Sequence, residues 1–176
     1  MGQLLEEDRR RYADGGHMPA FQYWLRRSQE TKSGILRKGC RALYNLCCRN
    51  PLIDISVHTQ IGGGLYIGHP CCININPDTV IGRNVNIHRG VVLGQVNRGP
   101  RRGSPVIGDD VWIGVNAAVV GHVVIGNDVL IAANAYVNCD VPPHSVVVGN
   151  PCTIHRREPS EGHENPATEG YINRRA

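Results

Sequence analysis

Isoleucine or valine recurs every six residues through the middle of this chain. Ile107, Ile113, Val119, Ile125, Ile131 and Val137 are each six apart, and two residues ahead of each stands Pro105, Val111, Ala117, Val123, Val129 or Ala135. The same beat runs earlier through Ile61, Ile67 and Ile73, shifts phase by two, and resumes through Ile75, Ile81, Ile87 and Leu93. Six fits neither the two-residue period of a flat strand nor the 3.6 of a helix. It is the period of a parallel β-helix, whose short strands stack coil upon coil and send aliphatic side chains inward. Three hexads make a triangular coil of about 18 residues. With 21 glycines and only 5% aromatic residues, the interior is expected to be thin and layered, an all-β core with no room for a ligand. Binding must then occur outside it. The glycines that follow Ile61, Ile67, Ile81, Leu93, Ile107, Ile113 and Ile125 suit corners whose backbone angles a β-carbon would oppose.

The repeat divides the chain. Residues 1–50 read as a helical arm, with one or two helices between Phe21 and Cys48. Trp24, Leu25, Ile35, Leu36, Leu43 and Leu46 form an apolar stripe there, packed against the rest of the protein or a neighbouring copy, and Asn50-Pro51 ends it. Residues 51–157 form the coil. QVNRGPRRGS, residues 95–104, breaks the rhythm and is expected to loop out, as functional loops on rigid scaffolds do. Residues 158–176 are polar and rich in Pro and Gly, a loosely attached tail.

Charge excludes some partners. The net +4 resides in the arm, where ten Lys/Arg face five Asp/Glu, against seven and six in residues 51–157. The arm offers only Tyr12, Phe21, Tyr23, Trp24 and Tyr44 as aromatic partners, which points to a solvated surface and not to nucleic acid. Seven cysteines with no CxxC spacing argue against a disulfide framework or a zinc ribbon. No apolar run is long enough for a membrane span or a leader, so a reduced, cytoplasmic protein is expected.

DISVHTQIGGGLYIGHP, NPDTVIGRNVNIHRGVVLGQ, SPVIGDDVWIGVNAAVVG and DVPPHSVVVGNPCTI, spread over residues 52–155, resemble the hexapeptide-repeat acyltransferases and, among them, the serine acetyltransferase branch. The resemblance implies a left-handed coil and a homotrimer, or a dimer of trimers, with sites in the clefts between columns. It also implies acetyl-CoA as donor and no metal. By the same resemblance His69 takes the proton of an acceptor hydroxyl as it attacks the thioester, and Asp54 steadies the imidazole. That pairing is sound chemistry, since an alcohol needs a base and histidine titrates in the right range. Val115 and Ala133, one coil apart, align with backbone positions that hold the pantetheine arm. Arg156 and Arg157 are placed to face the CoA phosphates, and His88 to support the acceptor.

The sequence departs from that branch where the acceptor is held. Gly68 stands in place of an acidic residue, Gly103 and Ser104 in place of an Arg-His pair, and Pro77 in place of a glutamate. Losing charged contacts to an ammonium and a carboxylate costs binding heavily. A saccharide acceptor is therefore expected, with Arg101 and Arg102 of the loop suited to an acidic or nucleotide-linked sugar. The alternatives are serine itself as acceptor, an acetyl-enzyme through Cys71 or Cys72, and a trimeric platform without catalysis. A zinc hydratase on the same coil needs two histidines five apart, and none are.

Overall fold

The computed structural model describes residues 2–12, 16–49 and 52–157; the tail from 158 lies outside them. The strands, numbered in chain order, lie on three faces of a left-handed parallel β-helix of about five turns. The first face holds β1 (Asp54–Ile55), β4 (Asn74–Ile75), β7 (Val92–Gly94), β10 (Ala118–Val120) and β13 (Tyr136–Val137). The second holds β2 (Gln60–Ile61), β5 (Val80–Ile81), β8 (Val106–Ile107) and β11 (Val124–Ile125). The third holds β3 (Tyr66–Gly68), β6 (Asn86–His88), β9 (Trp112–Ile113), β12 (Val129–Ile131) and β14 (Ser145–Val148). All these pair in parallel; β15 (Thr153–Arg156) folds back antiparallel on β14.

The inward residues are those of the repeat. Ile67, Ile87, Ile113, Ile131 and Val147 stack on the third face and are buried, as are Ile75, Leu93, Val119 and Val137 on the first. Burying a Val or Ile side chain contributes about 1.5–3 kcal/mol, so one polar residue in such a stack disturbs the coils on both sides.

The glycines after these aliphatics serve a purpose other than the expected one. Gly62, Gly82, Gly108 and Gly126 are absent from the positive-φ residues. A β-carbon on Gly62 would lie 2.5 Å from Gly82 O, and one on Gly82 2.6 Å from Gly108 O. They are needed because successive coils stack backbone on backbone. The left-handed turns between the second and third faces are made instead by Asn84, Asp110, Asp128 and His144, with φ between 53° and 57°. Asn and Asp tolerate this region better than other side-chain-bearing residues.

The arm has three helices, α1 (Gln3–Arg10), α2 (Ala20–Glu30) and α3 (Gly34–Cys48), and it lies on the open edge of the first coil. That edge would otherwise leave backbone groups unpaired. Asp8 Oδ1 accepts from Leu65 N, the Tyr12 hydroxyl from Ile67 N, and Gln22 Nε2 donates to Leu65 O. Arg26 donates to Ile61 O and Gly62 O, and the Tyr44 hydroxyl to Ile55 O. Arg26 and Asp8 pair at 2.8 Å, both fully buried. The expected stripe splits: Leu25 is buried and Trp24 partly so, whereas Ile35, Leu36, Leu43 and Leu46 of α3 face outward. α3 turns Cys40, Tyr44 and Cys48 inward instead, because the Tyr44 hydroxyl is what reaches the strand edge.

Candidate active site

The phase shift in the repeat marks the site. Asp54 pairs with Asn74, Gln60 with Val80 and Tyr66 with Asn86, a rise of twenty residues, whereas Asn74 pairs with Val92, a rise of eighteen. Gly68 pairs with His88, and on the far side of the corner Gly90 N donates to Cys71 O. The two residues in excess are therefore His69 and Pro70. They bulge from the edge between the third and first faces, and His69 is exposed with φ of 53°. The later break has a different size: Val80 pairs with Val106, so residues 95–104 add eight to the coil as an excursion between the first and second faces.

Along the edge of the bulge, Cys71, Arg89, Val115 and Ala133 form one column. Arg89 O accepts from Asn116 N, and Val115 O from Asn134 N, as Cys71 O does from Gly90 N. With coils about 4.8 Å apart, Val115 stands about 10 Å and Ala133 about 14 Å beyond the first coil. The N–H groups of Val115 and Ala133 make no hydrogen bond among the described residues. At the opposite corner the equivalent groups are taken: Arg83 N donates to Asp109 Oδ1 and Asp109 N to Asn127 Oδ1. Unlike that corner, the histidine edge presents main-chain donors at successive coils.

His88 stands one coil above Gly68. Its ring packs on Trp112, with centroids 4.7 Å apart, and fills the space over the glycine. His88 Nε2 and Trp112 Nε1 are buried without a hydrogen-bond partner among the described residues. Burial pushes the His88 imidazole below its ordinary 6.5, and neighbouring His69 adds to the effect. Trp112 was not singled out in the sequence; its signal is an aromatic ring at an outward position of the hexad, directly before Ile113.

Other expected site residues are not brought together. Asp54 opens the first face at the same edge, but its carboxylate accepts from Asn74 Nδ2 at 3.1 Å, and no hydrogen bond joins it to His69. Arg101 donates to both oxygens of Asp140 at 2.8 Å, and Arg102 is exposed; both lie on the edge between the first and second faces. Within one chain they do not approach His69. Arg156 pairs with Ser145, at the margin of the third face away from Ala133, and Arg157 is held by Asp128. Cys71 and Cys72 are exposed corner residues. Among the described residues no three His, Cys, Asp or Glu side chains gather as for a metal, and no helix is long and apolar enough to cross a membrane.

Known proteins share the repeat and the fold. Residues 104–139 match the family described as bacterial transferase hexapeptide (six repeats). The chain is 35% identical over 120 residues to serine acetyltransferase 3, mitochondrial, of Arabidopsis thaliana, covering 68% of this chain and 29% of that protein. Its fold superposes on soybean serine acetyltransferase with a TM-score of 0.72 at 27% identity, covering 86% of this chain and 67% of the other. Against Neisseria gonorrhoeae serine acetyltransferase in complex with serine the TM-score is 0.71 at 27% identity, covering 87% and 68%. The chain spans between 29% and 50% of the length of the curated relatives it matches.

Proposed function

We propose that this chain transfers an acetyl group from acetyl-CoA to the hydroxyl of a small acceptor, with His69 as general base. The observation that carries the reading is the edge itself: an exposed, bulged histidine below a column whose N–H groups at Val115 and Ala133 are unengaged. A pantetheine arm is a narrow rod with amide carbonyls, and it could accept from these donors at successive coils without meeting a large side chain.

In this reading the acceptor oxygen attacks the thioester carbonyl as His69 removes its proton, and the tetrahedral intermediate collapses to the acetyl ester. The leaving thiolate of CoA takes the proton back from the imidazolium. Asp54 shares the edge with His69, and bonds of this kind often tighten only when substrate arrives. The loop arginines stand on another edge of the column, so they would serve a site only between two copies, in keeping with the trimer implied by the resemblance.

Serine is the acceptor the comparisons favour, since the relatives and superposed structures are serine acetyltransferases. None of them supports the saccharide acceptor expected from Gly68, Gly103 and Ser104. With those charged groups missing, exposed Arg89 in the column beside His69 is the cation best placed for the carboxylate. The test is CoA release from acetyl-CoA with L-serine against a panel of sugars and oligosaccharides. Serine turnover supports the reading, sugar turnover alone overturns the acceptor, and no release with any acceptor overturns the function.

A further inference from the structure

The corner that carries His69 continues into two adjacent cysteines. Cys71 and Cys72 are both exposed, their sulfurs are 3.3 Å apart, and Cys72 adopts a left-handed backbone with φ of 54°. This pair is poorly shaped for a disulfide: neighbouring α-carbons are about 3.8 Å apart, whereas disulfides usually span about 4.4–6.8 Å. That spacing disfavours closing the two thiols as a disulfide. The hydrogen bond shared with Cys71 raises the Cys72 thiol above its ordinary range, which slows electrophiles that need a single thiolate.

A larger atom between the sulfurs meets no such obstacle. With bonds of about 2.3 Å, the usual length from sulfur to a soft centre, sulfurs 3.3 Å apart subtend about 92°. That matches the near-right-angled bonds of pyramidal trivalent arsenic better than the roughly 109° of tetrahedral zinc. We propose that Cys71 and Cys72 form a chelating site for trivalent arsenicals beside the candidate catalytic histidine. An arsonous acid, R–As(OH)2, reacts there with two thiols: two As–S bonds form, two As–O bonds break, and each hydroxide leaves as water with a thiol proton. Arsenic remains trivalent and no electrons are transferred.

The other cysteine pairs among the described residues are less suited. Cys47 and Cys48 are consecutive on α3, where neighbours do not face each other, and Cys48 is buried. Cys139 and Cys152 are half-buried with sulfurs 3.9 Å apart, which opens the angle to about 116° by the same bond length. The binding stands on this geometry alone. Its effect on catalysis, by placing the organic group of the arsenical at the mouth of the groove, rests on the acetyl-transfer reading.

The test treats the full chain with phenylarsonous acid and reads intact mass. One adduct per chain is expected, stable to excess glutathione, removed by 2,3-dimercaptopropanol, absent from Cys71→Ser and Cys72→Ser, and kept in Cys139→Ser. No adduct, an adduct that survives in both Cys71→Ser and Cys72→Ser, or one lost in Cys139→Ser overturns the proposal. CoA release should fall with adduct formation and return with the dithiol. Untreated protein without CoA release refutes the acetyl-transfer reading alone, because the mass measurement still decides the site.

Discussion

Gly68 lies in register with His88, and the imidazole stands where a side chain at position 68 would have to go. A β-carbon there would come within 2.9 Å of His88 Cε1 and 3.0 Å of Nδ1. Gly68→Ala should therefore swing the ring while the coil still folds, at a stability cost of about 1–3 kcal/mol for overpacking. Steady-state kinetics should show the acceptor KM raised several-fold and the acetyl-CoA KM unchanged. An unchanged acceptor KM would separate His88 from the acceptor.

His69 is the proposed base and makes no hydrogen bond that the fold depends on. His69→Ala should lower turnover by about 10²–10⁴-fold, the usual range for a general base. Circular dichroism and hydrodynamic size should match the parent protein. Full turnover in this variant would remove His69 from the chemistry.

The lowered His88 pKa has a sign in the pH dependence of stability. Between its depressed folded value and the unfolded value of about 6.5, the unfolded chain binds the extra proton, so stability rises with pH. The contribution is complete above about pH 6.5 and is lost as pH falls through the folded pKa. Thermal melts over this window should show a shallower pH slope for His88→Gln than for the parent. Parallel slopes would contradict the assignment.

The Ala133 N–H makes no hydrogen bond among the described residues, so removing it tests the donor groove. Ala133→Pro should leave the melting temperature nearly unchanged. The acetyl-CoA KM should rise about 2- to 12-fold, the equivalent of one hydrogen bond of about 0.5–1.5 kcal/mol. An unaltered KM would mean that this amide does not meet the donor.

Asp8 accepts from Arg26, Gln22 and Leu65 N inside the arm. Asp8→Ala leaves the Arg26 guanidinium buried without its charge partner, which should cost about 3–5 kcal/mol. Urea unfolding measures this. A loss under about 1 kcal/mol, the range of exposed pairs, would place the pair in solvent.

The hexads were legible because each inward site must be aliphatic whatever coil it belongs to, and the first-to-last order of strands follows from that alone. The slip between Ile73 and Ile75 was legible too, but its owner was not: His69 and Pro70 emerge as the extra residues only once the cross-coil bonds at Gly68 and Gly90 are known. Stacking of Gly62 on Gly82 likewise depends on neighbours twenty residues away. QLLEEDRR is mostly charged, and nothing local in it reveals that Asp8 will be sealed against Arg26. Asp54 bonded to Asn74, and Arg101 bonded to Asp140, show side chains finding partners that spacing does not name.

A column of like coils has no inherent length, since each turn offers the next the same unfilled strand edge. Here the arm occupies that edge at one end with tyrosine, glutamine, arginine and aspartate side chains, and β15 doubles back over the third face at the other. The arm therefore acts as a terminator. Without it, the first turn of one molecule could accept the last turn of another, and open head-to-tail growth into filaments would compete with any closed assembly.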